Sequence, residues 1–386
     1  GNLRIASANG FSNLAKVNAG VLRNKGWELN FYTSRICKVG KFSMKLRGNI
    51  AQNFNEVEEM NPLILESLNG AETFQPGNLH YNQRVQIGNA LGSIYGLHYL
   101  GVYKYDYEHN GYTNQSIANY GYAEVGNSGY AGNADGSINY NEPINTAAAA
   151  ERRGEIHTCP IAYDADGNML TDAKGIPLPM YYCYNESYRY KFQGGDAIYE
   201  DINHDGQIDR YDMVYLGNSN PKCNGGFGIN LYYGRLSLNA GFNFRVGNQI
   251  VNMARMNLES MLNNTNQSYA TTWRWRKNGD ETVIPRALSS VNGYSSYNSL
   301  PSDRYVENGD YLRLQYVQLS YDFDAKKLKK YGINQLKLFA SVDNLWCWTK
   351  YTGVDPDVSP QGFAVSTDNN RTPRTKSFTC SLTLGF

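Results

Sequence analysis

The sequence predicts an all-β protein whose strands have one apolar and one polar face. Three observations lead to this prediction: alternating residues in several segments, an abundance of tyrosine and glycine, and long connections on one side only. The clearest alternation is the final segment S-F-T-C-S-L-T-L-G-F, residues 377–386. A period of two is typical of a strand. A chain that ends on the aromatic residue of such a strand indicates an outer-membrane β-barrel.

In a barrel of this kind the apolar face of each strand meets lipid and the other face meets a polar lumen. The apolar residues of the final strand would form that outer face, with Cys380 as a small hydrophobe. The expected assembly signal consists of Phe378, Leu382, Leu384 and Phe386.

The composition suits a β-protein and gives no reason to expect nucleic acid as a partner. The 386 residues include 36 Lys plus Arg and 35 Asp plus Glu, so the net charge is only +1. The 32 tyrosines and 38 glycines fit a barrel with aromatic girdles and many turns, and they also fit a carbohydrate-binding surface. No run approaches the roughly 18 apolar residues of a transmembrane helix.

Six further segments alternate in the same way. Each has a strongly polar second face, as expected either for a lumen wall or for a soluble sandwich. Their apolar positions lie within 27–31, 42–50, 227–233, 236–246, 317–323 and 336–342.

The connection lengths favour the barrel. If the last strand runs inward, the long connections 247–310 and 344–376 both lie outside, whereas 324–334 and the turn at 233–235 lie inside. Long outer loops and short inner turns are expected of outer-membrane barrels. A soluble sandwich has no reason to show this asymmetry.

The segment 55–225 is predicted to be one large extracellular excursion. It contains strand-like stretches at 84–99 and 181–192. If both crossed the membrane, 100–180 would be an inner loop of unusual length. The prediction is therefore about seven membrane strands, too few to close a barrel, so that further strands must come from an N-terminal part outside this chain.

The N-terminus and the cysteines each add one expectation. The N-terminus has no basic start and no apolar core, so we expect a piece of a longer protein or one subunit of a split one. The six cysteines have no paired C-x-x-C spacing, which argues against a metal or redox motif.

The segment D-I-N-H-D-G-Q-I-D-R-Y-D at 201–212 has the spacing of an EF-hand calcium loop. Gly206 lies at the position of the sharp turn, and the twelfth position is Asp instead of the usual Glu. One interpretation is a Ca²⁺ or Mg²⁺ site that stiffens an outer loop, and the other is an Asn/Asp/Gly turn without metal. The candidate ligands are Asp201, Asn203, Asp205, Gln207, Asp209 and Asp212. A second acidic run at 164–168 lacks the later ligands and predicts a hairpin turn.

Signatures of an enzyme are absent from the sequence. The five histidines form no H-x-x-x-H or H-E-x-x-H, and neither G-x-S-x-G nor G-x-x-x-x-G-K occurs. We therefore predict no catalytic function, although carboxylates are plentiful enough to leave a glycosidase pair open. The run T-T-W-R-W-R-K at 271–277 could stack on sugar or peptide, or pack against another loop. Its candidate substrate-binding residues are Trp273, Arg274, Trp275 and Arg276.

Four stretches of the sequence resemble the C-terminal third of the SusC/RagA family of TonB-dependent outer-membrane transporters. The first is N-K-G-W-E-L at 24–29. The second is G-D-A-I-Y-E-D-I-N-H-D-G-Q-I-D-R-Y-D at 195–212, followed by L-G-N-S-N-P. The third is N-G-D-Y-L-R-L-Q-Y-V-Q-L-S-Y at 308–321. The fourth is D-N-L-W-C-W-T-K-Y-T-G-V-D-P-D-V at 343–358, with R-T-P-R-T-K-S-F-T before the terminal Phe386.

This resemblance implies a transmembrane antiparallel β-barrel, 22-stranded and closed by a plug, of which this chain is the C-terminal part. It also implies a SusD-like lipoprotein lid and TonB-dependent import of oligosaccharides or oligopeptides into a Gram-negative, Bacteroidetes-like cell. The plug domain, the TonB-contacting segment and the early strands would lie in the N-terminal remainder. An alternative is a soluble, calcium-stabilised β-rich binding or adhesion module, and a third possibility is a secreted glycan hydrolase.

Overall fold

The computed structural model gives the backbone of most of the chain. The described residues are 2–3, 15–16, 20–62, 64–65, 69, 81, 84–103, 130–132, 138–143, 160–173, 178–185, 188–276, 280–290, 295–358 and 365–386. Within the segment 55–225, for which an excursion is predicted, stretches such as 104–129 and 144–159 lie outside the described residues.

Seven long strands dominate the described residues, and each includes one of the alternating segments. They are β1 (Gly20–Tyr32), β2 (Phe42–Met60), β3 (Cys223–Tyr233), β4 (Leu236–Val246), β5 (Tyr311–Asp322), β6 (Gln335–Thr349) and β7 (Ser377–Gly385).

These strands form one antiparallel sheet in the order β7-β6-β5-β4-β3-β2-β1. Neighbours in the sheet are consecutive among these seven strands, so the topology is an up-and-down meander. A short strand, Cys37–Val39, also pairs with the start of β2. The sheet has the strand arrangement of a barrel wall, as the sequence predicts.

The strand β6 continues to Thr349, beyond residue 343, after which the sequence predicts an outer loop. The pairing of β6 with β5 shifts register after Asp343, and Asn344 has a positive φ of 52°. After the bulge, Trp346 and Trp348 return to the apolar face, opposite Leu314 and Leu312. Polar Asn344 interrupts the run of apolar residues at even positions, which is why the sequence alone suggests a loop there.

The apolar face of the sheet is exposed. Phe378, Leu382 and Phe386 of the terminal segment are 73%, 64% and 81% exposed, and Leu384 is 45% exposed. Residues on the same face of β3 and β4 stack on each other, with the rings of Phe227 and Phe242 4.7 Å apart. A continuous apolar surface of this extent needs an apolar surrounding, which is the lipid-facing surface of a transmembrane barrel.

The connections differ at the two ends of the sheet. At one end are the turn between Tyr233 and Leu236, residues 33–41 between β1 and β2, and residues 323–334 between β5 and β6. At the other end are the three long connections, 61–222, 247–310 and 350–376, since β2, β4 and β6 all finish there. This is the asymmetry that the sequence predicts.

The long connections contain small sheets of their own. Ser93–Gly96 pairs with Val214–Asn218, and Tyr99–Val102 pairs with Ala197–Tyr199. Tyr181–Asn185 lies between Tyr188–Lys191 and Gln207–Ile208. Gln249–Asn252 lies between Val306–Asn308 and Thr367–Asp368, so it joins the second long connection to the third. Tyr130–Gly132 also pairs with Ile138–Pro143 there, and outside the connections, before β1, Asn2–Leu3 pairs with Ala15–Lys16.

Helices in the described residues are few and short. The α-helices whose full length is described are Met253–Glu259 and Ala325–Leu328. The 3-10 helices described in full are Arg210–Asp212, Tyr269–Trp273, Tyr297–Ser299, Asp303–Tyr305 and Lys329–Tyr331. None of the described helices combines the length and the apolar character needed to cross a membrane.

The buried core of the described residues lies in the long connections and not between strands of the large sheet. The largest fully buried side chains include Tyr95, Tyr182, Phe192 and Tyr305, all outside the seven strands. Tyr182 and Phe192 belong to a cluster with Leu97, Tyr199 and Ile208, among others. The connections therefore pack as a globular assembly at one end of the wall.

The two faces of β7 should respond differently to the same substitution. Leu382 lies on the exposed apolar face, paired with Leu338, and its neighbour Thr383 lies on the polar face. In the full-length protein we expect Leu382→Lys to lower membrane stability by about 2–4 kcal/mol, because it places a charge in lipid. Thr383→Lys should change stability by less than about 1 kcal/mol. The measurement is heat-modifiable mobility of the purified variants, and equal effects of both variants would contradict the orientation.

Candidate functional site

The polar face of the sheet carries two arginines near its loop-bearing end, and the chain's own third connection neutralises both. Arg313 of β5 donates from Nη2 to Oδ1 of Asp355 at 2.5 Å, and both side chains are largely buried. Arg245 of β4 contacts Asp357, with Nη2 3.3 Å from Oδ1, and donates from Nη1 to the Val358 carbonyl at 2.8 Å. The third connection is therefore attached to two neighbouring strands of the wall.

The segment V-D-P-D at 354–357 is suited to this role because its two carboxylates flank a proline. The Asp357 amide donates to Oδ1 of Asp355 at 2.9 Å, which holds the two side chains on one side of the turn. Arg374 also binds Asp357, so the return of the connection towards β7 is tied to the same point. In the sequence this segment is apparent only as part of the family resemblance, because its arginine partners lie far away in the chain.

A second anchor joins the second and third connections. Glu307 accepts hydrogen bonds from the Thr352 amide at 2.8 Å, from Nδ2 of Asn252 at 3.1 Å and from Nη1 of Arg255 at 3.2 Å. Burial alone would raise the pKa of Glu307, but the hydrogen bonds, first of all those from Thr352, hold that pKa below its ordinary value. Glu307 is thus a fixed carboxylate that links the two loops.

A third anchor lies within the first and second connections. The buried carboxylate of Asp196 accepts from Nε of Arg286 at 2.6 Å, from the Tyr190 hydroxyl at 2.6 Å and from Nδ2 of Asn298 at 3.0 Å. Because Asp196 is fully buried, loss of one of these partners would leave a buried polar group unpaired. This anchor fixes the segment that leads from residue 195 into the acidic loop.

The acidic loop 201–212 folds as a tight turn in which the carboxylates accept backbone N–H groups. Asp201 accepts from the Gly206 amide and Asp205 from the Gln207 amide, both at 2.8 Å, whereas Asp209 accepts from the Tyr211 amide at 2.6 Å.

Buried Asp212 closes the loop by accepting from the amides of Ile202 at 2.8 Å and Asp209 at 2.7 Å. His204 and Gly206 have positive φ, which gives the sharp bend that the sequence predicts at Gly206. Among the described residues no three acidic, His or Cys side chains stand in a metal-ligand arrangement.

The electrostatics of this loop disfavour its negative charge. Burial raises the pKa values of Asp201 and Asp209, and the nearby Asp205 charge adds to both effects. Burial also raises the pKa of Asp212 to about 6, against an ordinary value of 3.8, with contributions from Asp201 and Asp209. A proton or a cation would relieve this repulsion. By contrast, hydrogen bonds from Asn168 lower the pKa of Asp164 in the second acidic turn.

The four residues of the aromatic-basic run do not form one surface. Trp273 ends a 3-10 helix and is 68% exposed, whereas the Trp275 ring lies against Gly195, where an added Cβ would be 2.3 Å from it. Arg274 donates to the Thr271 carbonyl, and Arg276 to that of Thr272. Of the two tryptophan rings, only that of Trp273 is largely open to solvent.

The pairing of Arg313 with Asp355 generates a testable prediction. Asp355→Asn leaves the guanidinium largely buried without a carboxylate, which costs about 3–5 kcal/mol when the pair is buried. We expect faster amide hydrogen exchange across residues 350–358 in this variant. The matched control is Asp343→Asn, on the polar face of β6. Asp343 accepts a hydrogen bond only from the Ser377 hydroxyl, at 3.0 Å. Equal exchange in the two variants would contradict an anchoring role.

Known proteins similar to this chain are TonB-dependent receptors. No protein-family model matches. TonB-dependent receptor P39 of Formosa agariphila is 28% identical over 395 aligned residues, which cover 100% of this chain and 32% of the receptor. TonB-dependent receptor P26 of the same organism is 30% identical over 168 residues, covering 44% of this chain and 17% of the receptor.

Solved structures give the same result for the fold. The RagAB peptide importer in its closed-closed state matches with a TM-score of 0.58 and 17% identity, covering 100% of this chain and 32% of that chain. Its open-open state matches with a TM-score of 0.54 and 16% identity, covering 100% and 31%. The chain thus spans about a third of the length of these proteins. In sequence along its whole length and in fold, the chain resembles part of a TonB-dependent transporter of the SusC/RagA type.

Proposed function

We propose that this chain forms barrel wall and extracellular loops of an outer-membrane nutrient importer. The importer would take up oligosaccharides or oligopeptides in a TonB-dependent manner, beneath a SusD-like lid lipoprotein. The observation that carries the proposal is the two-faced sheet, which exposes its apolar face and bears all three long connections at one end. The similar proteins support the proposal because they are named as receptors and importers.

The rest of the importer would close the barrel. In the described residues β1 pairs only with β2, and β7 only with β6, so both edges of the sheet can accept further strands. We propose that an N-terminal remainder supplies those strands, the plug and the TonB-contacting segment. Seven strands of this chain would then cross the membrane, and the predicted excursion 55–225 would lie outside the cell, with β2 reaching Met60 and β3 starting at Cys223.

The outer assembly would hold cargo between the loops and the lid. Trp273 is the ring of the aromatic-basic run that is open enough to stack on a sugar or a peptide. Arg274, Trp275 and Arg276 would shape the loop that presents it, given their local contacts. The anchors at Glu307 and Asp196 hold the connections to one another, and Asp355 attaches them to the wall.

The experiment that tests this function is purification of the native membrane complex in detergent through this chain. We expect an N-terminal barrel piece, a lid lipoprotein and bound oligomeric cargo, all identified by mass spectrometry. A single chain that stays in the aqueous phase without detergent would contradict the proposal and favour the soluble calcium-stabilised module. Such a module would leave the apolar face of seven strands in water, which argues against it.

For the acidic loop we propose binding of Ca²⁺ or Mg²⁺ by Asp201, Asn203, Asp205, Gln207, Asp209 and Asp212. The support is the spacing of oxygen ligands together with the raised carboxyl pKa values. The carboxylates would have to turn from backbone amides towards the ion. The ion would stiffen the loop and would take no part in moving cargo.

Calcium binding should depend on pH because protons compete for the same carboxylates. The folded-state pKa of Asp212, about 6, lies above its unfolded value of 3.8. Without calcium, the stabilisation from Asp212 is fully present below about pH 4 and is lost as the pH rises towards 6. Added Ca²⁺ should therefore slow hydrogen exchange in 201–212 at pH 7.5 and have little effect at pH 4.5.

The matched control for this experiment is the second acidic turn. Asp205→Asn should abolish the calcium effect at pH 7.5, whereas Asp164→Asn should leave it unchanged, since Asp164 serves its own turn with Asn168. Slower exchange with Ca²⁺ in the Asp205 variant, or no effect in the unmodified protein, would contradict an ion at this loop.

A further inference from the structure

One arginine on the polar face of the sheet differs from the other two. Arg245 and Arg313 each face a carboxylate of the third connection. Arg47, the sixth residue of β2, has no acidic partner among the residues that the structure describes. It lies instead in a groove of about 460 Å³ between β1, β2, β3, β4 and β5.

The side chain of Arg47 on β2 is held by a tyrosine on β5, three strands away in the sheet. Its Nη2 donates to the hydroxyl oxygen of Tyr316 on β5, across β3 and β4. The oxygen accepts this bond, so the hydroxyl proton of Tyr316 is available for a different acceptor. The remaining N–H groups of the guanidinium are available as well, which makes the pair a set of fixed donors.

Glycines in the intervening strands make this geometry possible. A Cβ at Gly228 would lie 2.8 Å from Nε of Arg47, and one at Gly241 would lie 2.4 Å from the Tyr316 ring. Any larger residue would push the two side chains away from the sheet. The sequence therefore keeps these side chains flat against the wall and leaves the space in front of them open.

The groove around the pair has the chemistry of an anion site. Its other polar side chains are neutral, and neither Asp nor Glu lines it; they are Asn30, Tyr32, Asn49 and Gln315. A guanidinium presents paired N–H donors that match the two oxygens of a carboxylate, and the adjacent hydroxyl adds a third donor. Arg47 is an exposed residue, so a ligand can reach its guanidinium from the open side of the groove.

We propose that the Arg47–Tyr316 pair is a lumenal binding site for a carboxylate group of the imported cargo. On a peptide the group is the C-terminus or an acidic side chain, and on an oligosaccharide it is a uronic acid. This inference rests on the proposed import function and adds a step below the loops. Cargo that leaves the outer assembly would pass Arg245 and Arg313, which are neutralised, and then reach Arg47, which is not.

The test uses the full-length transporter in cells, with two matched pairs of fluorescent probes. The first pair is an oligopeptide with a free C-terminal carboxylate and the same peptide amidated. The second is an oligosaccharide ending in glucuronate and the same oligosaccharide ending in glucose. Uptake is compared for the unmodified transporter, Arg47→Gln, Arg47→Lys, Tyr316→Phe and the control Lys337→Gln, which changes a polar-face cation of β6 outside the groove.

We expect Arg47→Gln to raise the half-saturating concentration of the acidic probe about tenfold, which is the loss of one charge-assisted hydrogen bond. The neutral probe should change less than about twofold, and Lys337→Gln should change neither. Arg47→Lys should retain part of the preference, because a point charge replaces the planar fork. Tyr316→Phe should have a smaller effect of the same kind.

Two results would overturn the inference while leaving import intact. Equal losses for acidic and neutral probes would assign Arg47 to a carboxylate of the transporter itself, and no loss for either would leave it without a ligand role. Failure of the unmodified transporter to import any probe would instead contradict the proposed function. If Arg47→Gln does not reach the surface, Arg47→Lys and Tyr316→Phe decide the question, because both keep the side-chain volume.

Discussion

Pairing of buried charges between the wall and the third connection is the interaction on which the outer structure depends. Arg313 is almost fully buried, so it requires the carboxylate that Asp355 provides 2.5 Å away. Asp357 joins Arg245 to Arg374, so one short turn contacts two strands and the approach to β7. Because Gln249–Asn252 also pairs with Thr367–Asp368, the second connection is held through the third.

The wall and the connections are stabilised in different ways. The seven strands are held by ladders of backbone hydrogen bonds and expose their apolar side chains. The connections bury tyrosine, phenylalanine and isoleucine side chains in clusters of their own, as a soluble domain does. The wall and the connections meet at the polar face of the sheet, where Arg245 and Arg313 pair with carboxylates of the third connection.

The sequence predicts the wall well because its strands are amphipathic. Alternation identifies all seven strands and the side on which they are connected, and the fold class and the family resemblance are confirmed. The prediction is incomplete at the bulge in β6, where polar Asn344 interrupts the apolar positions, so the last residues of this strand are not predicted.

The functional residues are less predictable. The Asp355–Arg313 pair joins residues 42 positions apart, and the Arg47–Tyr316 pair joins residues 269 positions apart. No local pattern contains either pair, since both depend on which strands become neighbours in the sheet. Closeness in sequence is no better guide in the run at 273–276. Its two tryptophans lie in different surroundings, one exposed and one packed against Gly195.

The meander has a consequence for biogenesis. Each long strand is hydrogen-bonded to the strand that precedes or follows it in the chain, so the wall can grow by adding one hairpin at a time from the end at β7. The short turns, such as the two-residue link between Tyr233 and Leu236, need little chain entropy to close. In the proposed importer, the long connections would have to be carried across the membrane while the wall is still open. Their aromatic clusters would then fold after the hairpins that carry them have been inserted.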